Sequence, residues 1–234
     1  MGIGASIVAW QASPALHPLA RGLMAFLIGV LPAFSVVRAQ SVARLTELPT
    51  RNKLYVSTIA GLWVLAVATA LVSTEAGMSP RLLGVIELPW TMFLVWVVFG
   101  LAGVAAVILV FKAFGVGESR LIHYMIPQTR SEELVYVGVS LTAGICEELI
   151  FRGFLIATLT VATGSVPLAV ILSAGAFGIA HAHQEAVGAL RAALLAVVLT
   201  VPLLVTGSLY PGIAAHALVD LLAGLWLSKW LLRS

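Results

Sequence analysis

Apolar stretches close to the ~20 residues that a helix needs to cross a bilayer recur along this chain at residues 21–37, 54–73, 88–111, 134–159, 166–181, 192–206 and 212–228. Such a succession leaves little choice of fold. Hydrocarbon offers no water to pair with backbone N–H and C=O groups, so each stretch must satisfy its own by becoming a helix. The sequence therefore predicts an all-α, polytopic transmembrane bundle of about seven membrane helices. The stretch 3–16 is also apolar, but it is short and broken by Pro14. It is either an interfacial or re-entrant segment or an eighth helix. It lacks a basic start followed by a small-residue cleavage site, so no removable signal peptide is expected. Composition agrees: 61% of residues are apolar, against roughly 45 to 50% in soluble domains.

The formal charge of +3 would suit a nucleic-acid partner only if the bases formed one patch. They lie instead in alternate interspan loops: Arg38, Arg44, Arg51 and Lys53 in the first, Lys112, Arg120 and Arg130 in the third, Arg191 in the fifth, and Lys229 and Arg233 at the C-terminus. The remaining loops keep Arg21 and Arg81. That asymmetry reports topology, placing the N-terminus outside and the C-terminus in the cytoplasm; an eighth helix would make both ends cytoplasmic. The expected setting is a bacterial inner (cytoplasmic) membrane, with the lipid bilayer as partner and no nucleic acid.

No repeat, low-complexity tract or second domain is visible, so residues 1–234 read as one integral membrane domain. The longest loop, 112–133, carries mixed charge. The first three spans hold almost no polar residue, so 1–133 is expected to shield and shape a site built from 134–234. Gly175, Gly178, Gly212 and Gly224 are expected to be packing positions. Trp63, Trp90, Trp96, Trp226 and Trp230 fall mostly near span ends, as in an interfacial aromatic belt.

Only 10% of the residues are charged, yet Cys146-Glu147-Glu148-Leu149-Ile150-Phe151-Arg152 crowds two carboxylates and a guanidinium into an apolar stretch. Charge at that depth is expensive and marks function. On an α-helix Glu148 and Arg152 share a face, one turn apart, whereas Glu147 points about 100° away. Arg152 then holds Glu148 ionised, and Glu147 is free to face a cavity as a general base. Cys146, the single cysteine, excludes an internal disulfide and reads as a small buried hydrophobe. His181 ends the fifth stretch with Phe177 one turn before it. His183 and Glu185 read as loop groups near the water interface. In the last span His216 and Asp220 are one turn apart, and such a pair could hold a carbonyl, activate water or ligate a metal.

Glu147-Glu148-x-x-x-Arg152, Phe177-x-x-x-His181 and His216-x-x-x-Asp220, in that order and each in an apolar stretch, resemble the CAAX protease and bacteriocin-processing family of intramembrane proteases. The eukaryotic type II CAAX prenyl endopeptidase belongs to the same superfamily. The resemblance covers roughly residues 139–227; the N-terminal half adds only hydropathy. It implies an intramembrane endopeptidase in which Glu147 and His181 activate water, His216 and Asp220 form the oxyanion side, and Glu148 with Arg152 supports them. The family's third motif carries asparagine or a similar residue where this chain has Asp220. An ionised carboxylate would repel an oxyanion, so Asp220 either carries a proton or serves to orient His216.

The expected reaction is cleavage of a peptide bond in a membrane-associated peptide or protein by activated water, without cofactor. Zinc is the alternative, because two histidines and two or three carboxylates are adequate ligands, although no H-E-x-x-H spacing occurs. Outside catalysis, a membrane scaffold or immunity protein of the same family, or a proton-coupled transporter, would use the same residue types. Transporters more often have repeated halves, and here the polar groups lie in one half. Substrate identity and oligomeric state are not encoded in any feature of the loops.

Overall fold

The computed structural model describes residues 16–43, 48–117 and 119–226. The stretch 3–16, apart from Leu16, lies outside them, as do Arg44, Trp230, Lys229 and Arg233. The described residues are helical throughout, joined by turns, with no strand.

The elements in chain order are α1 (Pro18–Ser41), α2 (Arg51–Glu75), α3 (Trp90–Ala113), the short α4 (Arg120–Met125) and α5 (Arg130–Thr163). They continue with α6 (Val166–Ala180), α7 (Glu185–Thr206) and α8 (Tyr210–Leu221). Among the described residues five helices are long and apolar enough to cross a membrane: α1, α2, α3, α5 and the run Ala182–Thr206 that contains α7. The count expected from sequence is thus met in part. At 15 residues, α6 is about 22 Å long, short of the ~30 Å hydrocarbon core. The α8 helix continues into a wider π turn at Leu222–Trp226.

Local signals set several boundaries. Thr129 and Glu132 form a reciprocal capping box at the start of α5, satisfying two of the N–H groups that a helix start leaves unpaired. Ser165 accepts from Leu168 N–H to begin α6, directly after Gly164 ends α5 in the left-handed region at φ 68°. The loop expected at 112–133 contains α4 instead. Six residues are too few for a periodic pattern, and its start is marked only by Ser119 accepting from Ile122 N–H.

α5 is the central element, packed between α2 and α8, while α3 packs on α7 and α8, and α6 lies along α7. The interior holds Ile150, Phe154, Leu155, Leu159, Phe177 and Leu203, and Cys146 is among its fully covered members. Large exposed side chains such as Val64, Val95, Ile171 and Trp226 face outward, as expected where lipid rather than water is the solvent. Trp63 departs from the belt expectation: it lies mid-helix in α2 and its indole N–H donates to Thr142 Oγ1 at 3.3 Å. Gly178 packs as expected, since a Cβ there would lie 2.6 Å from the Ala189 carbonyl oxygen and 2.8 Å from Ala193 Cβ of α7, whereas a side chain at Gly175 would meet open space.

Candidate active site

The polar groups of α5 sit where the helix changes pitch. Its α-helical part ends at Glu147, and Glu148–Leu155 forms a π segment, the wider i→i+5 turn that recurs at functional sites. α-Helical spacing predicts different faces for the two glutamates. In the structure both reach one ring, that of His216 on α8. Glu148 Oε1 lies 2.8 Å from His216 Nδ1, and Glu147 Oε2 lies 3.7 Å from His216 Nε2. Asp220 Oδ2, one turn along α8, is 3.8 Å from the same Nε2.

Glu148 also meets Arg152 Nη1 at 3.3 Å, with the two side chains only 1% and 2% exposed. The pairing expected from sequence is present. To it the structure adds the link from Glu148 to His216, which four-residue spacing within one helix could not reveal. Since a carboxylate accepts, the proton of the contact lies on Nδ1, which donates to Glu148. Nε2 is thereby turned toward Glu147 and Asp220. The Arg152 guanidinium carbon stacks 4.5 Å over the Phe177 ring, and Phe177 meets Phe151 edge-on at 5.1 Å.

His181 caps the end of α6, and its Nδ1 lies 2.8 Å from the Phe177 carbonyl oxygen. A carbonyl only accepts, so Nδ1–H is the donor and the Nε2 lone pair is left to receive a hydrogen bond. The ring lies 4.4 Å from that of Phe177 and 5.7 Å from that of His183. The ion pairs of the described residues include none between Glu147 and His181. The carboxylate–histidine contacts that do form are all at His216.

One cavity of about 220 Å³ joins these groups, with Arg152, His181, Gln184, Arg191, His216 and Asp220 among the polar members of its wall. Glu147 is not itself in the wall and meets it through His216, keeping 13% of its side chain exposed. Val104 and Ile108 of α3 and Leu195 and Leu199 of α7 form the apolar side, and Ile122, Met125 and Ile126 of α4 and its end complete it. Tyr136 of α5 also lines the cavity and donates to the Asp220 carbonyl oxygen at 3.3 Å. Neither Tyr136 nor α4 was evident in the sequence, which offers only an aromatic three turns before the glutamates and a mixed loop. Among the described residues no group of three or more His, Cys, Asp and Glu side chains is placed to hold a metal ion.

Glycines set the approach. A Cβ on Gly144 would lie 2.9 Å from the Ile213 carbonyl oxygen and 3.1 Å from Ala217 N, so α5 and α8 touch backbone to backbone there. A Cβ on Gly212 would lie 3.2 Å from Glu148 Oε2. Small residues at such crossings let polar groups of facing helices meet.

Residues 129–222 match the family model described as Type II CAAX prenyl endopeptidase Rce1-like. That stretch runs from the Thr129 cap to just beyond Asp220 and holds all six polar residues of the three motifs. Neither the curated proteins nor the solved structures gave a match.

Proposed function

From the match of residues 129–222 to the family model of Rce1-like type II CAAX prenyl endopeptidases, we propose that the chain is a membrane protease of that family and hydrolyses a peptide bond of a membrane-associated substrate with a water activated by glutamate and histidine. The observation that carries the reading is the unequal use of the two glutamates. Glu148 is committed to His216 and Arg152 and is 1% exposed; among the described residues the ion-pair contact of Glu147 is the 3.7 Å one to His216, and it retains exposure. It is the carboxylate with capacity to spare.

In this scheme the water oxygen attacks the carbonyl carbon, its proton passes to Glu147, and the carbonyl π pair moves onto oxygen. His181 Nε2 accepts the water's second hydrogen and fixes its position. When the tetrahedral species collapses, the C–N bond breaks and its electron pair takes the proton from Glu147, releasing amine and acid. No covalent acyl intermediate forms. His216 faces the oxyanion through Nε2 in its doubly protonated form, its Nδ1–H being held by Glu148. Asp220 then acts by orienting His216. The reaction needs no metal, the substrate is a lipid-modified or membrane-inserted peptide, and the protein sits in the bacterial inner membrane with a cytoplasmic C-terminus.

The test uses purified full-length protein in detergent with a quenched fluorogenic farnesylated peptide ending Cys-aliphatic-aliphatic-X. The parent is expected to cleave it, to carry no stoichiometric zinc and to keep its rate after exhaustive phenanthroline treatment. Glu147→Gln is expected to fold like the parent and lose cleavage. One zinc per chain, with activity lost on chelation and restored by zinc, would make Glu147 a ligand instead.

A further inference from the structure

We infer that Arg152 is an oxyanion donor, in contact with the scissile carbonyl, and not only the counter-ion of Glu148. The inference rests on the hydrolytic reading above. It starts from an imbalance of donors. Arg152 is 2% exposed, and none of its three guanidinium nitrogens makes a hydrogen bond within the described structure. Its contact with Glu148 at 3.3 Å is an ion pair lacking hydrogen-bond geometry. A guanidinium presents five N–H donors in a rigid fork, and leaving such buried donors without any partner is costly. Arg152 nevertheless lines the cavity together with His181, His216 and Asp220. Its head is held in place by stacking on Phe177 and by Glu148.

The two residues of the third motif leave room for a further oxyanion donor. Asp220 has no N–H, and ionised it would repel the charge that develops. His216 has spent Nδ1–H on Glu148, which leaves a single N–H at Nε2 for the oxyanion, against the several of a guanidinium. The π segment that carries Arg152 one turn after Glu148 therefore brings to the cavity, beside His216, a group whose donors are not taken up within the described residues. In the attack step the carbonyl π pair moves onto oxygen while the water proton goes to Glu147. The resulting oxyanion accepts from Arg152 N–H without proton transfer, and on collapse the pair returns to the C–O bond as the C–N bond breaks.

The test keeps charge and removes the fork. Arg152→Lys leaves an ammonium able to pair with Glu148, so its thermal unfolding in detergent should follow the parent. On the farnesylated peptide, kcat should fall by about 100-fold or more, as when one oxyanion donor is removed, with KM within about threefold. A phosphinate isostere of the same peptide, which mimics the tetrahedral species, should lose affinity by the factor lost in kcat/KM. A folded Arg152→Lys with kcat within about threefold of the parent would overturn the inference and leave Arg152 as counter-ion. Should the lysine variant not fold, a structure of the parent with the phosphinate decides: a guanidinium nitrogen within about 3 Å of a phosphinate oxygen supports the assignment, and a guanidinium turned away overturns it. A parent that leaves the peptide uncut overturns the hydrolytic reading and this inference with it; a parent that cuts, beside an unaffected lysine variant, overturns the inference alone.

Discussion

His216 has a carboxylate at each ring nitrogen, 2.8 Å away at Nδ1 and 3.7 Å away at Nε2, and the two differ in what their loss should do. Glu148 is buried between His216 and Arg152, so Glu148→Gln strands the Arg152 charge. Breaking one side of a buried pair costs about 3 to 5 kcal/mol, which should appear as a clearly lower unfolding midpoint in detergent. Glu147→Gln removes a partly exposed group with only long contacts and should melt within about 1 kcal/mol of the parent, the usual range for such pairs. Equal destabilisation by the two substitutions would contradict this division. All six polar residues could be picked from the sequence, because charge and histidine stand out against hydrocarbon. Their partners could not. The expectation that Glu147 and Glu148 face different ways assumes an α-helical pitch, and the chain departs from it at Glu148. The pairing of Glu147 with His181 rests on resemblance; geometry adds a shared cavity reached through His216, without a direct contact.

Between elements, the approach of α5 to α8 is set at Gly144, where any side chain would press on the backbone at Ile213 and Ala217. Those residues flank His216. Gly144→Ala should therefore shift α8 by a fraction of an ångström and lower kcat by about 10- to 100-fold, since small misplacements of catalytic groups carry penalties of that order. Gly138, two turns earlier on α5, meets only the flexible tip of Ile59 at 3.4 Å. Gly138→Ala is the matched control and should keep kcat within about twofold, as surface-like changes do. If both alanines behave alike, the close crossing does not position His216. Hydropathy locates α5 and α8 readily but says nothing about which glycine stands at the crossing. Likewise α4 escaped notice because its role is tertiary. Arg51 Nε donates to the Tyr124 carbonyl at 2.6 Å, Tyr55 to that of Met125 at 2.5 Å, and Tyr124 to that of Pro49 at 2.9 Å, so the helix is held by residues some 70 positions away.

Across the whole molecule the turns sort into two ends. Arg51, Pro49, α4 and the turn at Ala182–Gln184 gather at one end. At the other, Leu209 N–H donates to the Gly84 carbonyl at 2.8 Å and Ser208 to that of Ile86 at 2.6 Å. The first end holds the basic loops and the second holds Arg81, so the alternation legible in the charges is repeated in contacts the charges could not encode. With the basic end cytoplasmic, a membrane-impermeant maleimide added to right-side-out vesicles should label Ser79→Cys and leave Gln128→Cys unlabelled, and inverted vesicles should show the reverse. The opposite pattern would turn the molecule over.

That experiment draws on Cys146, fully covered inside α5 and the single cysteine of the chain. A thiol sealed within the bundle makes the unaltered protein silent to water-soluble reagents. Any cysteine placed at a surface position becomes an addressable thiol without a competing native one, and a pair of them can report distances between the two ends without first stripping the native sequence. The same seal gives an internal alarm: reagent reaching Cys146 would signal that α5 has come apart beside Glu147, so thiol uptake over time measures how often the site itself opens.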